Sequence, residues 1–141
     1  MTSMRFARPA AVMVILTLLT GCGAGLHPIE GQVVWKDGTP AKELAGGQVV
    51  FENEAAKTSA RGVIQPDGTF KVTTTKPDDG ALAGEYKIAV LEFRKNAGAE
   101  GTGLAPALLD TKYADFASSG LTATVKPGPN AVKLTVERTP K

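Results

Sequence analysis

Past residue 28 the chain alternates apolar and polar positions in short runs, each closed by glycine, proline or aspartate. Successive side chains of a strand point to opposite faces of a sheet, so this period of two predicts strands with one buried face. Seven are expected: GQVVWK (31–36), GQVVFEN (47–53), ARGVIQ (60–65), TFKVTT (69–74), EYKIAVLEF (85–93), LTATVK (121–126) and AVKLTVE (131–137). Their spacing and turn signals predict an all-β sandwich or barrel. Parity assigns the core to Val33 and Trp35, Val49 and Phe51, Phe70 and Val72, Tyr86, Ile88 and Val90, Leu121 and Val125, and Val132, Leu134 and Val136. Lys71, Lys87, Lys126 and Lys133 then face water. No stretch beyond residue 21 has the three-to-four-residue period of a long amphipathic helix.

The breaks between the runs have their own chemistry. KDGTP, QPDGTF, KPDDG and KPGPN place proline, aspartate or asparagine beside glycine, which combines a preset φ, local backbone capture and tolerance of positive φ. Gln65-Pro66-Asp67-Gly68 is expected to close strands 60–65 and 69–74 into a tight hairpin. The pair Asp78-Asp79 is explained as a turn, because a calcium loop spaces several carboxylates over about a dozen residues. The longest break runs from 94 to 120 and contains Leu108, Leu109, Tyr113 and Phe116. A connection of that length is usually functional or disordered. Either its apolar residues close the edge of the sandwich, with Leu108, Leu109 and Tyr113 shielded, or Tyr113 and Phe116 form a contact surface for a glycan or a protein.

The N-terminus follows a different pattern. Arg5 and Arg8 precede the apolar run AAVMVILTLLT (10–20), and Gly21 and Cys22 follow it. Charge, apolar stretch and small residue in that order predict an export signal. The run is about half the roughly 20 residues that span a bilayer. Leu19-Thr20-Gly21-Cys22 resembles the bacterial lipobox, which implies cleavage before Cys22 and acylation of its thiol. Cys22 is the only cysteine, so neither a disulfide framework nor a cysteine-based metal site competes for it. The expected organisation is a lipoprotein signal peptide over 1–21, the lipidated cysteine and a short flexible linker over 22–28, and one β domain over 29–138. Two or more acyl chains hold a protein stably on a membrane, so the resemblance implies a chain exported to the cell envelope and lipid-anchored there through Cys22.

Charge narrows the partners. The whole chain has 16 basic and 14 acidic residues, and removing 1–21 takes away Arg5 and Arg8, which leaves the two signs in balance. No basic patch remains to attract nucleic acid. The only histidine, His27, falls in the linker and is expected to be solvated there, so a histidine-based catalytic constellation is not expected. The chain is expected to be noncatalytic, with no cofactor and no metal.

The segments GQVVWKDGTPA, RGVIQPDGTFKVTT and GALAGEYKIAV resemble the carboxypeptidase regulatory-like, or transthyretin-like (prealbumin-like), sandwich domains, and the closing KYADFASSGLTATVKPGPNAVKLTV is similar to the tail of small envelope lipoproteins that carry such a domain. The resemblance covers roughly 29–138 and implies a seven-stranded Greek-key β-sandwich. No catalytic residues travel with it. Transthyretin-like hydrolases use histidines and a tyrosine-rich C-terminus that this chain, ending VERTPK, lacks. The expected function is an interaction or structural module of the envelope, held to the membrane by acyl chains on Cys22 and meeting an envelope protein or glycan. The alternative is a carbohydrate- or peptidoglycan-binding module, for which exposed aromatic residues in a row would speak.

Overall fold

The computed structural model describes residues 25–95 and 103–141. Cys22, its lipobox and the signal segment lie outside the described residues, as does the Gly/Ala-rich part of the long connection. Among the described residues nine strands form: β1 (Leu26–His27), β2 (Ile29–Trp35), β3 (Gln48–Asn53), β4 (Thr58–Val63), β5 (Thr69–Lys71), β6 (Ala81–Leu82), β7 (Gly84–Leu91), β8 (Leu121–Val125) and β9 (Asn130–Val136). Seven of them make two sheets, one ordered β5-β2-β9 and one ordered β4-β3-β7-β8, and β1 with β6 forms a separate two-stranded ribbon. All pairings are antiparallel except β2 with β9, which run parallel from Ile29↔Asn130 to Trp35↔Val136.

The inner faces of the two sheets share one core. Phe51 of the four-stranded sheet meets Phe70 of the three-stranded sheet with ring centroids 6.1 Å apart, and meets Tyr86 edge-on at 6.0 Å. Val33, Val49, Val72, Ile88, Val90, Leu134 and Val136 fill the space around them. Every residue that parity assigned inward is buried, except Leu121 and Val132, which pack half-buried against the core. The four lysines assigned outward are exposed. Two positions break the alternation. Val34 is buried because the chain folds back over it, with Val34 bridged to Pro40 and the Ala41 N–H donating to the Val33 carbonyl. Ala89 is buried where the crossover between β7 and β8 packs on β7.

The two DGT turns have the same geometry. In each, one carboxylate oxygen accepts from both the backbone N–H and the hydroxyl of the threonine two residues on: Asp37 with Thr39, and Asp67 with Thr69. The expected hairpin keeps its register but not its flatness. Gln65 N–H donates to the Thr69 carbonyl, and Arg61 and Thr73 exchange both backbone hydrogen bonds. Yet β4 belongs to the four-stranded sheet and β5 to the three-stranded one, so the turn joins the two layers at a corner rather than closing a hairpin within one sheet. Gly62 makes that corner: a Cβ there would stand 2.5 Å from the Lys71 carbonyl oxygen.

The linker expected over 22–28 does not extend to residue 28, because strand β1 takes up Leu26–His27. Leu26 and His27 pair with Leu82 and Ala81, and the His27 Nδ1 accepts a hydrogen bond from the Gly128 N–H. His27 is half-buried, which corrects its expected place in a solvated leader. A two-residue strand shows no period, so neither β1 nor its partner β6 was legible in the sequence.

Candidate functional site

Residue types that do chemistry are scattered. Among the described residues no three His, Cys, Asp or Glu side chains come together as metal ligands would. Asp79 is occupied structurally: its two oxygens accept from the backbone N–H groups of Thr74, Thr75 and Lys76, and those bonds, led by Lys76, lower its pKa. Asp78 takes a positive φ of 59° in the same turn. Lys36 and Asn130 sit at opposite ends of the β2–β9 pair, too far apart for a side-chain cross-link.

The crossover between β7 and β8 is built from two caps. Asp110 accepts from Lys112 N–H to start a 3-10 turn at Thr111–Ala114, and Asp115 accepts from Ala117 N–H to start the four-residue helix α1 (Phe116–Ser119). Such carboxylate caps satisfy N–H groups that have no partner within the helix. Ser119 then ties α1 to the sheet through the Ile88 carbonyl. Tyr113 is only 4% exposed and its hydroxyl accepts from Glu137 N–H, so its ring belongs to the core and offers no contact surface. Phe116 is half-buried. Leu109 is shielded as expected, bridged to Arg138, but Leu108 is 42% exposed, and the Glu92 carboxylate accepts from the backbone N–H groups of both leucines.

Above Tyr113, where β2 and β9 end, lies a charged cluster. Trp35 is buried as parity required; its Nε1–H donates to Glu43 and the Arg138 guanidinium stacks 4.1 Å from its ring centre. Glu137 accepts from Lys112 and from Lys36, both at 2.7 Å. These two ammonium groups, Lys112 first, hold the Glu137 carboxyl down to about 2, against an ordinary 4.5, and the lysines are raised in return. A carboxylate whose pKa is lower in the folded chain contributes stability that is complete above its unfolded value and is lost as pH falls through the folded value. The stability gap between the wild-type chain and Glu137→Gln is therefore expected to be constant from pH 4.5 up to the alkaline range in which the lysines lose their protons, and to close toward pH 2. Denaturant unfolding of both proteins at a series of pH values measures this. A gap that persists unchanged to pH 2 would contradict the ion-pair account. Salt should narrow the gap, since all three groups are solvent-accessible.

A concavity of about 790 Å³ lies at the other end of the molecule, over the outer face of the four-stranded sheet. Glu52, Glu54, Glu85, Lys87, Thr122 and Thr124 line it, and Lys87 is paired with Glu54 at 2.7 Å. Its one ring, Tyr86, points into the core, with the hydroxyl donating to the Leu82 carbonyl.

The described chain is thus an all-β sandwich. No protein-family model matches it, and no curated protein sequence does. Among solved structures it is similar to a DUF3823 family protein from Parabacteroides merdae, at 16% identity and a TM-score of 0.43, over 84% of this chain and 48% of that one. It is also similar to a 9R-lipoxygenase from Cyanothece, at 14% identity and a TM-score of 0.38, over 79% of this chain and 16% of that one. The chain spans about half the length of the first structure and a smaller part of the second.

Proposed function

We propose that the chain is a membrane-anchored, noncatalytic lipoprotein of the cell envelope, whose β-sandwich serves as an interaction or structural module. The observation that carries this reading is the short interval between Cys22 and Leu26, where the first strand starts. Four residue steps reach at most roughly 14 Å, so acyl chains on Cys22 would hold the β1–β6 end of the sandwich against the bilayer. The strands of the two sheets, three and four, support a seven-stranded Greek-key domain of the carboxypeptidase regulatory-like kind. A glycan-binding reading gains little support from the rings: among the described residues Trp35, Phe51, Phe70, Tyr86 and Tyr113 are buried, Phe116 is half-buried and Phe93 alone is exposed, so they form no exposed row.

Cys22→Ser is the direct test. The wild-type chain should begin at Cys22, have the added mass of acyl groups and fractionate with membranes, whereas the variant should have no acyl mass and move to the soluble fraction. Wild-type protein that starts upstream of Cys22, or that partitions into buffer, defeats the proposal.

A further inference from the structure

Five large apolar side chains are exposed among the described residues: Val63, Leu91, Phe93, Leu104 and Leu108. Scattered single exposures are ordinary, but a cluster marks an interaction site. These five gather at one end of one sheet. Val63 and Leu91 flank Gln48 in a single cross-strand row, on the face away from the core, 49% and 40% exposed. Two residues on, Phe93 lies beside Gly46 and is 58% exposed. The returning chain runs alongside, with Ala105 N–H on the Lys95 carbonyl and Leu108 N–H on Glu92, which adds the last two leucines.

Basic side chains outnumber acidic ones around this patch. Arg61 stands one row below Val63 on the same face, and Arg94 and Lys95 follow Phe93; all three are exposed, and none makes an ion pair among the described residues. The Glu92 carboxylate is taken up by the backbone of Leu108 and Leu109. A groove of about 630 Å³ continues from Val63 past Arg61 and Lys71 over the β4–β5 corner, and Asp78 is the single carboxylate lining it.

Position selects between a lipid surface and a protein. The chain comes in beside Gly80, Ala81 and Leu82, next to the start of β7, which runs from Gly84 away to Leu91. Eight residues at about 3.3 Å each put the patch roughly 25 Å from that end. With Cys22 as the anchor, as proposed above, the patch faces away from the bilayer.

We propose that this outer end of the four-stranded sheet docks an acidic, apolar segment of a partner protein, with Val63, Leu91 and Phe93 making the apolar contact and Arg61 meeting its carboxylates. The test uses the chain as cells produce it, in a nonionic detergent, so that its outcome does not depend on how the chain is anchored. A fluorescent short peptide alternating glutamate and leucine is titrated by anisotropy against its lysine–leucine counterpart. The acidic peptide should bind at least roughly tenfold more tightly, and Phe93→Ser and Arg61→Glu should each weaken it by at least roughly tenfold, as truncation of an interface anchor does. Lys133→Glu, on the other sheet, should leave it unchanged. The proposal is overturned if both peptides bind alike, if neither patch variant matters, if sedimentation shows a dimer that Phe93→Ser dissociates, or if phosphatidylglycerol vesicles bind the patch in the peptide's place.

Discussion

Ile88→Ala is expected to destabilise the fold by about 2 to 5 kcal/mol, the range for a large aliphatic side chain cut back in a core that cannot collapse around the space. Ile88 is fully buried in the middle of β7, paired with Phe51 on one side and Leu121 on the other, and flanked on its own face by Tyr86 and Val90. The neighbouring substitution Lys87→Ala removes a solvent-exposed side chain whose one partner, Glu54, is 65% exposed, so it should cost well under about 1 kcal/mol. Urea unfolding of the two variants, with unchanged slope, measures the contrast. Equal losses at the two positions would mean that the two faces of β7 are assigned wrongly.

Gly80→Ala is expected to cost about 3 kcal/mol or more, the upper part of the range for single substitutions. Two separate effects meet there. Gly80 has a φ of 84°, where a side chain strains the backbone by about 1 kcal/mol or more. Its added Cβ would also stand 1.7 Å from the His27 carbonyl oxygen, so β1 and β6 would have to part. Gly128 separates the two contributions, because it has a similar φ of 94° but nothing within 4 Å of an added Cβ. Gly128→Ala should therefore show the strain alone, about 1 kcal/mol. If the two alanine variants unfold at the same denaturant concentration, the contact between Gly80 and His27 contributes nothing. Amide exchange at Leu26 and His27 should also quicken in Gly80→Ala, since the pairing that protects them is the part displaced.

What the sequence by itself determined was the all-β class, the approximate limits of the seven longer strands and the buried side of six of them. That information is local: alternation such as Tyr86, Ile88, Val90 against Lys87 reads out a face directly, and an Asp-Gly-Thr triplet builds its turn from its own atoms. Position and composition likewise single out Cys22 before any fold is known, as the lone thiol behind an apolar run. The tertiary structure alone decided which strands share a sheet. The 65–68 turn and its register were legible, but the division of β4 and β5 between two layers depends on Gly62 approaching the Lys71 backbone, a contact between strands that no periodicity records. For the same reason the fates of Tyr113 and Leu108 were not readable from their own segment. Tyr113 lies inward with its hydroxyl accepting from the Glu137 backbone, and Leu108 lies outward where Glu92, from another segment, holds its N–H. The patch of Val63, Leu91 and Phe93 likewise exists only once β4 and β7 lie on either side of Gln48: each is an ordinary apolar residue in its own run, and only the pairing of distant segments makes them neighbours.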